Sequence, residues 1–325
     1  MKGAPVPLRF GSGMTVVSTG SIAFDYILTF RGRFADHIIP DKAHVINLSF
    51  LVESMEKRRG GVAGNYAYNL ALLGHPSAVL ATGGADAREY REWLESLGVD
   101  CRGLLLLDDE HTATGFTTTD LEDNQITGYY GGAMLKAGML GLADTVPDPS
   151  AVIIGPNAPE GMFRLVRECR EAGIRWVFDP AHQLPHMTAA DLEEGSRGAW
   201  IVIGNDYELE LIRQRTGRDQ DALLELAEIV VTTLGRHGSR IATRDGTFEI
   251  PPAAAEREVD PVGAGDAYRA GLVFGLLRGV GMARAGRIAS LAGAYVVEQT
   301  GTMEHRYTTE EFAARFQKAY GEQPW

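Results

Sequence analysis

Asp260-Pro261-Val262-Gly263-Ala264-Gly265-Asp266 runs straight into AYRAGLVFGLLRG, and the join between these two stretches decides the reading of the chain. Downstream of the join, Ala270, Val273, Phe274 and Leu277 recur at i, i+3, i+4 and i+7, so a helix starts at the glycines. A glycine-rich turn at a helix N-terminus leaves backbone N–H groups pointing outward, and the helix dipole adds to their pull on an anion. The amides of Gly263, Ala264 and Gly265 are therefore candidates to cradle a transferring phosphoryl group. The stretch lacks the lysine of GxxxxGK[ST], so it is another kind of phosphate loop. Asp266 opposes the charge that such a loop attracts. Either it caps the helix, which Asp does well, or it accepts the proton of a hydroxyl held in line with the phosphoryl group.

Other motifs stand where ligand-binding residues of α/β proteins stand. Gly20-Ser21-Ile22-Ala23-Phe24-Asp25 follows the first strand, Thr15 to Thr19, at its C-terminal end. The two carboxylate oxygens of Asp25 can hold two vicinal sugar hydroxyls, and a surface turn is the alternative. Gly60-Gly61-Val62-Ala63-Gly64-Asn65 opens a helix, Ala63 to Leu73, that closes at Gly74. Small residues there let a ligand approach the backbone, and the Asn65 amide both donates and accepts. Asn205 and Glu208 follow the strand AWIVIG three residues apart, a spacing that suits one magnesium ion or a helix capping box. Thr233-Leu234-Gly235-Arg236-His237-Gly238 ends the next strand, where glycines suit a flat ring against backbone or a plain hairpin.

Around these motifs strand and helix patterns alternate: Ala78 to Ala81, then Asp86 to Leu97; Ala151 to Ile154, then Pro159 to Ala172; Trp176 to Phe178; Ala199 to Ile203, then Asp206 to Arg215. That rhythm predicts a parallel sheet with helices on both faces. Two strand-rich stretches break it. One runs from Asp25 to Arg59, with apolar runs at Tyr26 to Phe30 and Val45 to Val52; the other pairs Thr112 to Thr119 with Gln125 to Tyr130. Together they predict a small second sheet, a lid over the strand ends, at about 25–59 and 111–132. The last third returns to helices at Asp266 to Leu277, Met282 to Glu298 and Thr309 to Tyr320.

At 325 residues and 45% apolar content the chain suits one large core with an appendage. The balance of 31 Lys and Arg against 43 Asp and Glu gives a formal charge of -12, which argues against nucleic acid and anionic membranes as partners. Cys101 and Cys169 form no CxxC pair and have no metal-ligand spacing, so both are expected to be reduced thiols. Residues 1–14 read as a flexible leader. With no signal-like run and no stretch near the ~18 apolar residues of a membrane span, the expected location is cytoplasmic.

GGVAGNYAYNLALLG (Gly60 to Gly74) and DPVGAGDAYRAG (Asp260 to Gly271) resemble the two signatures of the ribokinase, or PfkB, family of carbohydrate and nucleoside kinases. The resemblance runs from about Thr15 to the last helix and implies a ribokinase-like three-layer α/β sandwich over 15–325, with a mostly parallel central sheet and a small β lid. Within the family, GSIAFD, FRGRFADHIIPDKAHVINLSFLVE, RRGGVAGN, FDPAHQL, NDYE, TLG and TGTMEH look most like bacterial adenosine kinases. Ala23 stands where sugar kinases usually carry Asn, which favours the nucleoside branch.

The resemblance implies transfer from ATP to the 5′-hydroxyl of adenosine, giving AMP, with Asp266 as base. It places Ser21, Asp25, Gly61 and Asn65 on the ribose side and Ser49 and Gln183 near the base, with Phe116 and Tyr129 clamping the purine from the lid. Asn205, Thr233, Gly235 and Gly238 fall to ATP, Glu208 to Mg2+ through water, and Asp260 to a K+-like ion. A homodimer through the lid is a further expectation. Guanosine, inosine, ribose or fructose are the alternative acceptors, and a nucleotide sensor on the same fold is the non-enzymatic alternative.

Overall fold

The computed structural model describes residues 14–38 and 49–325. In chain order the elements are β1 Val16–Thr19, β2 Ala23–Thr29, α1 Phe34–His37, β3 Ser54–Gly60, α2 Val62–Leu72, β4 Ser77–Gly84, α3 Arg88–Ser96, β5 Asp100–Leu107, β6 Ala113–Thr119 and β7 Gln125–Tyr130. They continue as β8 Ala151–Ile154, α4 Pro159–Ala172, β9 Trp176–Phe178, α5 Ala189–Ser196, β10 Ile201–Asn205, α6 Asp206–Thr216, α7 Gln220–Leu224 and β11 Ile229–Thr233. The chain then closes with β12 Ser239–Thr243, β13 Gly246–Ile250, α8 Ala264–Leu277, α9 Met282–Val297 and α10 Thr309–Tyr320.

Among the described residues nine strands form one sheet in the order β13-β12-β11-β10-β9-β8-β1-β4-β5. It is parallel from β5 to β11, and β12 alone runs against its neighbours at one edge. The strand pleat sorts its apolar residues onto two cores. Val16, Ile153, Ile201, Ile203, Ile229 and Val231 face α2, α8, α9 and α10. Val17, Val152, Ile154, Val202 and Val230 face α4, α5, α6 and α7. Both faces being covered, β8 is buried along its whole length and reads as an unbroken apolar run. This is the three-layer ribokinase-like arrangement expected from the sequence.

β2, β3, β6 and β7 form the second sheet, in the order β3-β2-β6-β7. It grows directly out of the first: only Gly20 to Ile22 separate β1 from β2, and β3 ends where α2 begins. α3 packs Tyr90 and Leu94 with Phe24 of β2 and Ala81 of β4, fastening the base of the lid to the main sheet.

Four segments differ from the sequence reading. The strand expected over Val45 to Val52 is irregular from 49 to 52, and the rest of it lies outside the described residues, as do 1–13 of the leader. α1 occupies part of the first insertion, its first N–H bonded to Asp120 Oδ2 of the other insertion. β5 was hidden in CRGLLLL, whose contiguous leucines give no alternation to read. The glycines after Thr233 do turn a hairpin, β11 into β12, with Leu234 N–H on Gly238 O at 2.8 Å. No described helix is long and apolar enough to cross a membrane.

Phe274 is fully enclosed in the α8 side of the core, edge-on to His75 and Trp325. Phe274→Ala is expected to cost about 3–5 kcal/mol of unfolding free energy, measured as a lower urea midpoint with an unchanged slope.

Candidate active site

The site begins where two helix N-termini meet at the open ends of the central strands. Gly263 is the N-cap of α8 at φ 85, and a side chain there would press on Thr302, with Cβ 2.8 Å from the Thr302 Cβ. Only glycine fits that turn. Asp266 is the third residue of the helix, with its N–H on Gly263 O at 3.1 Å, so it does not cap α8. Its carboxylate turns instead to α2, where Asn65 Nδ2 donates to Oδ2 at 2.7 Å. Asn65 is buried, and its Oδ1 has no hydrogen-bond partner. An unsatisfied buried amide oxygen beside this carboxylate is a candidate acceptor for a donor that arrives with a ligand.

Burial pushes the Asp266 carboxyl up to about 6, helped by the nearby Asp179 and Glu208 charges and opposed by Arg269 and the Asn65 bond. Asp266 nevertheless keeps part of its surface open, as a group meeting substrate must. The Ala264 N–H, one of three amides expected to hold the phosphoryl group, already donates to Pro261 O at 3.2 Å. That correction leaves the Gly263 and Gly265 amides as the candidate anion donors.

Beneath Asp266 lies a polar cluster that the sequence did not announce. Arg269, one turn along α8, donates from Nη2 to Asp179 Oδ1 at 2.7 Å, from Nε to Asp179 Oδ2, and from Nη1 to Gly265 O at 3.1 Å. The Tyr66 hydroxyl of α2 donates to the same Asp179 Oδ2. Arg269, Asp179 and Tyr66 are all buried. The available signal was an arginine inside an otherwise apolar helix, which needs a partner.

On the lid, Asp25 stands opposite Arg58 of β3 and Gly115 of β6. A Cβ at Gly60 would collide with Asp25 Oδ2, and one at Gly115 would lie 2.8 Å from Oδ1. Two glycines thus make a slot for one carboxylate, and burial raises its pKa. Tyr129 pairs with Gly115 on this face, its hydroxyl within hydrogen-bonding reach of Ser21 and 3.7 Å from Met134 Sδ. Ser21 is tied to the start of α2: its Oγ accepts from Val62 N–H at 3.3 Å and its carbonyl from Ala63 N–H at 3.0 Å. Gly61 is the α2 N-cap, at φ 90. The structure therefore gathers Ser21, Asp25, Gly61, Asn65, Tyr129 and Asp266.

Two expected residues are not gathered. Phe116 is one residue out of phase with Asp25, so the pleat turns it to the opposite face, stacked on Tyr26 with ring centroids 5.2 Å apart. Ser49 is exposed beside Phe50, which packs on Phe30. Phe30 lies five residues along the extended lid from Asp25, about 17 Å. Gln183 is half-buried on the 3-10 turn Ala181–His186, just past Asp179 at the end of β9.

At the ends of β10 and β11, Asn205 and Glu208 form a capping box on α6: Glu208 N–H donates to Asn205 Oδ1 and Asn205 N–H to Glu208 Oε2, each at 2.8 Å. Glu208 Oε2 is also 3.9 Å from Arg269 Nη2, and burial raises its pKa. The capping reading of this pair holds, and the bond to Asn205 uses one oxygen of Glu208. Thr233, Gly235 and Gly238 line the β11–β12 turn, with Thr233 Oγ1 on Gly204 O at 3.4 Å and open space beside Gly235. Asp260 ties two loops, accepting Val262 N–H on Oδ1 and Gly301 N–H on Oδ2, each at 3.0 Å. Among the described residues no group of three or more His, Cys, Asp or Glu side chains could hold a metal ion.

The chain matches the family model described as pfkB family carbohydrate kinase over residues 26–309. It is 33% identical to a nucleoside kinase of Methanothermobacter thermautotrophicus over 313 residues, 95% of this chain and 97% of that one. A nucleoside kinase of Burkholderia thailandensis, solved in complex with inosine, superposes with a TM-score of 0.84 at 39% identity, covering 95% of this chain and 99% of that one. The nucleoside kinase of Methanocaldococcus jannaschii gives a TM-score of 0.85 at 28% identity, with 95% and 100% covered. These likenesses run over nearly all of the chain, and the protein belongs to the pfkB family of carbohydrate kinases.

Proposed function

We propose that this protein is an ATP-dependent nucleoside kinase that phosphorylates the ribose 5′-hydroxyl. The observation that carries the reading is Asp266, a carboxylate held near pKa 6 beside a glycine anion loop and bonded to an amide whose oxygen awaits a donor. A base of this strength is ionised at neutral pH and still basic enough to take a proton in the transition state. The 5′-oxygen attacks the γ-phosphorus of ATP as its proton passes to Asp266, the bond to the ADP oxygen breaks, and Asp266 then yields the proton to solvent. The amides of Gly263 and Gly265 stabilise the equatorial oxygens. Glu208 is suited to hold Mg2+ through water, because a half-buried carboxylate with one free oxygen welcomes a hydrated cation; the ion would neutralise phosphate charge. Asp260 is the candidate for a monovalent ion, and the β11–β12 turn is the candidate adenine platform.

For the acceptor, Asp25 in its two-glycine slot takes the vicinal ribose hydroxyls. Next to it Ala23, Ala113 and Met134 form a small buried apolar cluster that backs Tyr129, the exposed ring proposed to stack on a base, which a free sugar has no ring to match. We take adenosine as the acceptor. Inosine is the second reading, favoured by the ligand of the Burkholderia thailandensis relative.

Asp266→Asn is expected to lower kcat by about 100-fold or more while KM for the nucleoside stays within several-fold, in a coupled ADP-release assay. Retention of half the activity would remove Asp266 from the chemistry. The same substitution has a stability consequence of definite sign. A folded-state pKa above the unfolded value near 3.8 means that stability is full below about pH 4 and declines as pH rises through 6. Asn mimics the protonated form, so the variant should melt higher than wild type at about pH 8, by at most about 3 kcal/mol before discounting residual solvent access, and equally at about pH 4.

Tyr129→Ala should raise KM for adenosine several-fold and leave KM for ATP nearly unchanged, since stacking contributes about 0.5–1.5 kcal/mol beyond buried area. In a panel of adenosine, inosine, guanosine, ribose and fructose, adenosine should lead the free sugars and guanosine by at least about an order of magnitude in kcat/KM. A lead for inosine selects the second reading; a lead for ribose removes the nucleoside assignment.

A further inference from the structure

Two carboxylates, Asp179 and Glu208, meet one buried guanidinium, and the Asp266 carboxylate one helical turn away lies within its field. The groups facing Asp266 come from every element around it: Asn65 and Tyr66 from α2, Asp179 from the end of β9, Glu208 from α6 and Arg269 from α8. His182, three residues past Asp179, adds a titratable ring near that carboxylate. Burying such charges is a poor route to stability, because apolar residues of similar volume do as well or better. Their arrangement needs another explanation. Arg269 uses both edges of its planar fork: Nε and Nη2 clamp Asp179, while Nη1 reaches back to the carbonyl of Gly265. The one cation of the cluster is thereby fixed one helical turn behind the base and bonded to the peptide that precedes it.

We infer that Arg269, locked by Asp179, is a positioning residue for phosphoryl transfer that keeps the Asp266 carboxylate ionised and anchors the Gly265 peptide of the anion loop. This rests on Asp266 being the base. Arg269 touches neither substrate and acts through the field it sets and the loop it ties. Asp179 has the opposite electrostatic effect on Asp266 while holding Arg269 in place, so the two partners of one ion pair push the base in opposite directions.

The experiment is the pH profile of kcat at saturating ATP and nucleoside for wild type, Arg269→Gln, Arg269→Lys, Asp179→Asn and Asp266→Asn. Loss of the Arg269 charge should carry the acid limb upward by about one pH unit, a roughly tenfold deficit at low pH that closes toward about pH 9. Arg269→Lys should return most of the limb, because it restores the charge without the fork. Asp179→Asn should carry the limb downward, since a negative neighbour is removed while Arg269 stays charged. An equal loss at every pH in Arg269→Gln, with the limb unmoved, overturns the inference. Should Arg269→Gln fail to fold, Arg269→Met decides by the same measure, and a limb that stays or falls in that variant also overturns it. Activity surviving in Asp266→Asn refutes the base itself; an inactive Asp266→Asn alongside unmoved limbs refutes only the role of Arg269.

Discussion

One hydrogen bond, Asn65 Nδ2 to Asp266 Oδ2, joins two helix starts separated by 201 positions in the chain. Each start exists for its own local reason: Gly61 and Gly263 sit at positive φ, which lets α2 and α8 leave their turns. The bond fixes these starts relative to each other. α2 carries Ser21 on its first amides, Ser21 lies under Tyr129, and β2 carries Asp25 out of the same turn. The ribose side of the site is thus referenced to the phosphoryl side through this contact and, behind it, through Tyr66 and Arg269 meeting on Asp179.

That setting accounts for the site's electrostatics in an acidic protein. With a formal charge of -12, the chain has no excess of cations to gather around triphosphate. Its local positive character comes from the α8 N-terminus, while the buried Arg269 offsets part of the charge of the carboxylates around it. Low local polarity strengthens both, and it also lifts the base into the range where small changes in neighbouring charge alter its ionisation.

Much of this was legible in the chain. The apolar stripe from Ala270 to Leu277 placed α8 to within two residues, and the alternation of strands and helices gave the main sheet. What escaped reading depended on phase or on partners. Gly115 and Phe116 differ by one position, and a pleat with period two sends neighbours to opposite faces; the sequence carries both residues but not the phase. Arg269 looks like an interruption of an apolar face until Asp179 arrives from 90 positions away. Asp266 reads equally well as a helix cap until Gly263 is seen to take that place. Ser49 depended on an apolar run that does not continue as a strand where the structure describes it.

The joints between the two sheets have a kinetic meaning. β2 leaves β1 through Gly20 to Ile22, and β3 delivers the chain to α2 at Gly61, so two of the four crossings to the small sheet are made of residues proposed for the ribose side. Tilting that sheet cannot be separated from moving Asp25 and the turn that carries Ser21. An acceptor held at these residues would therefore lose its contacts whenever the small sheet tilts, so its release would draw on the stiffness of these two short glycine-bearing turns.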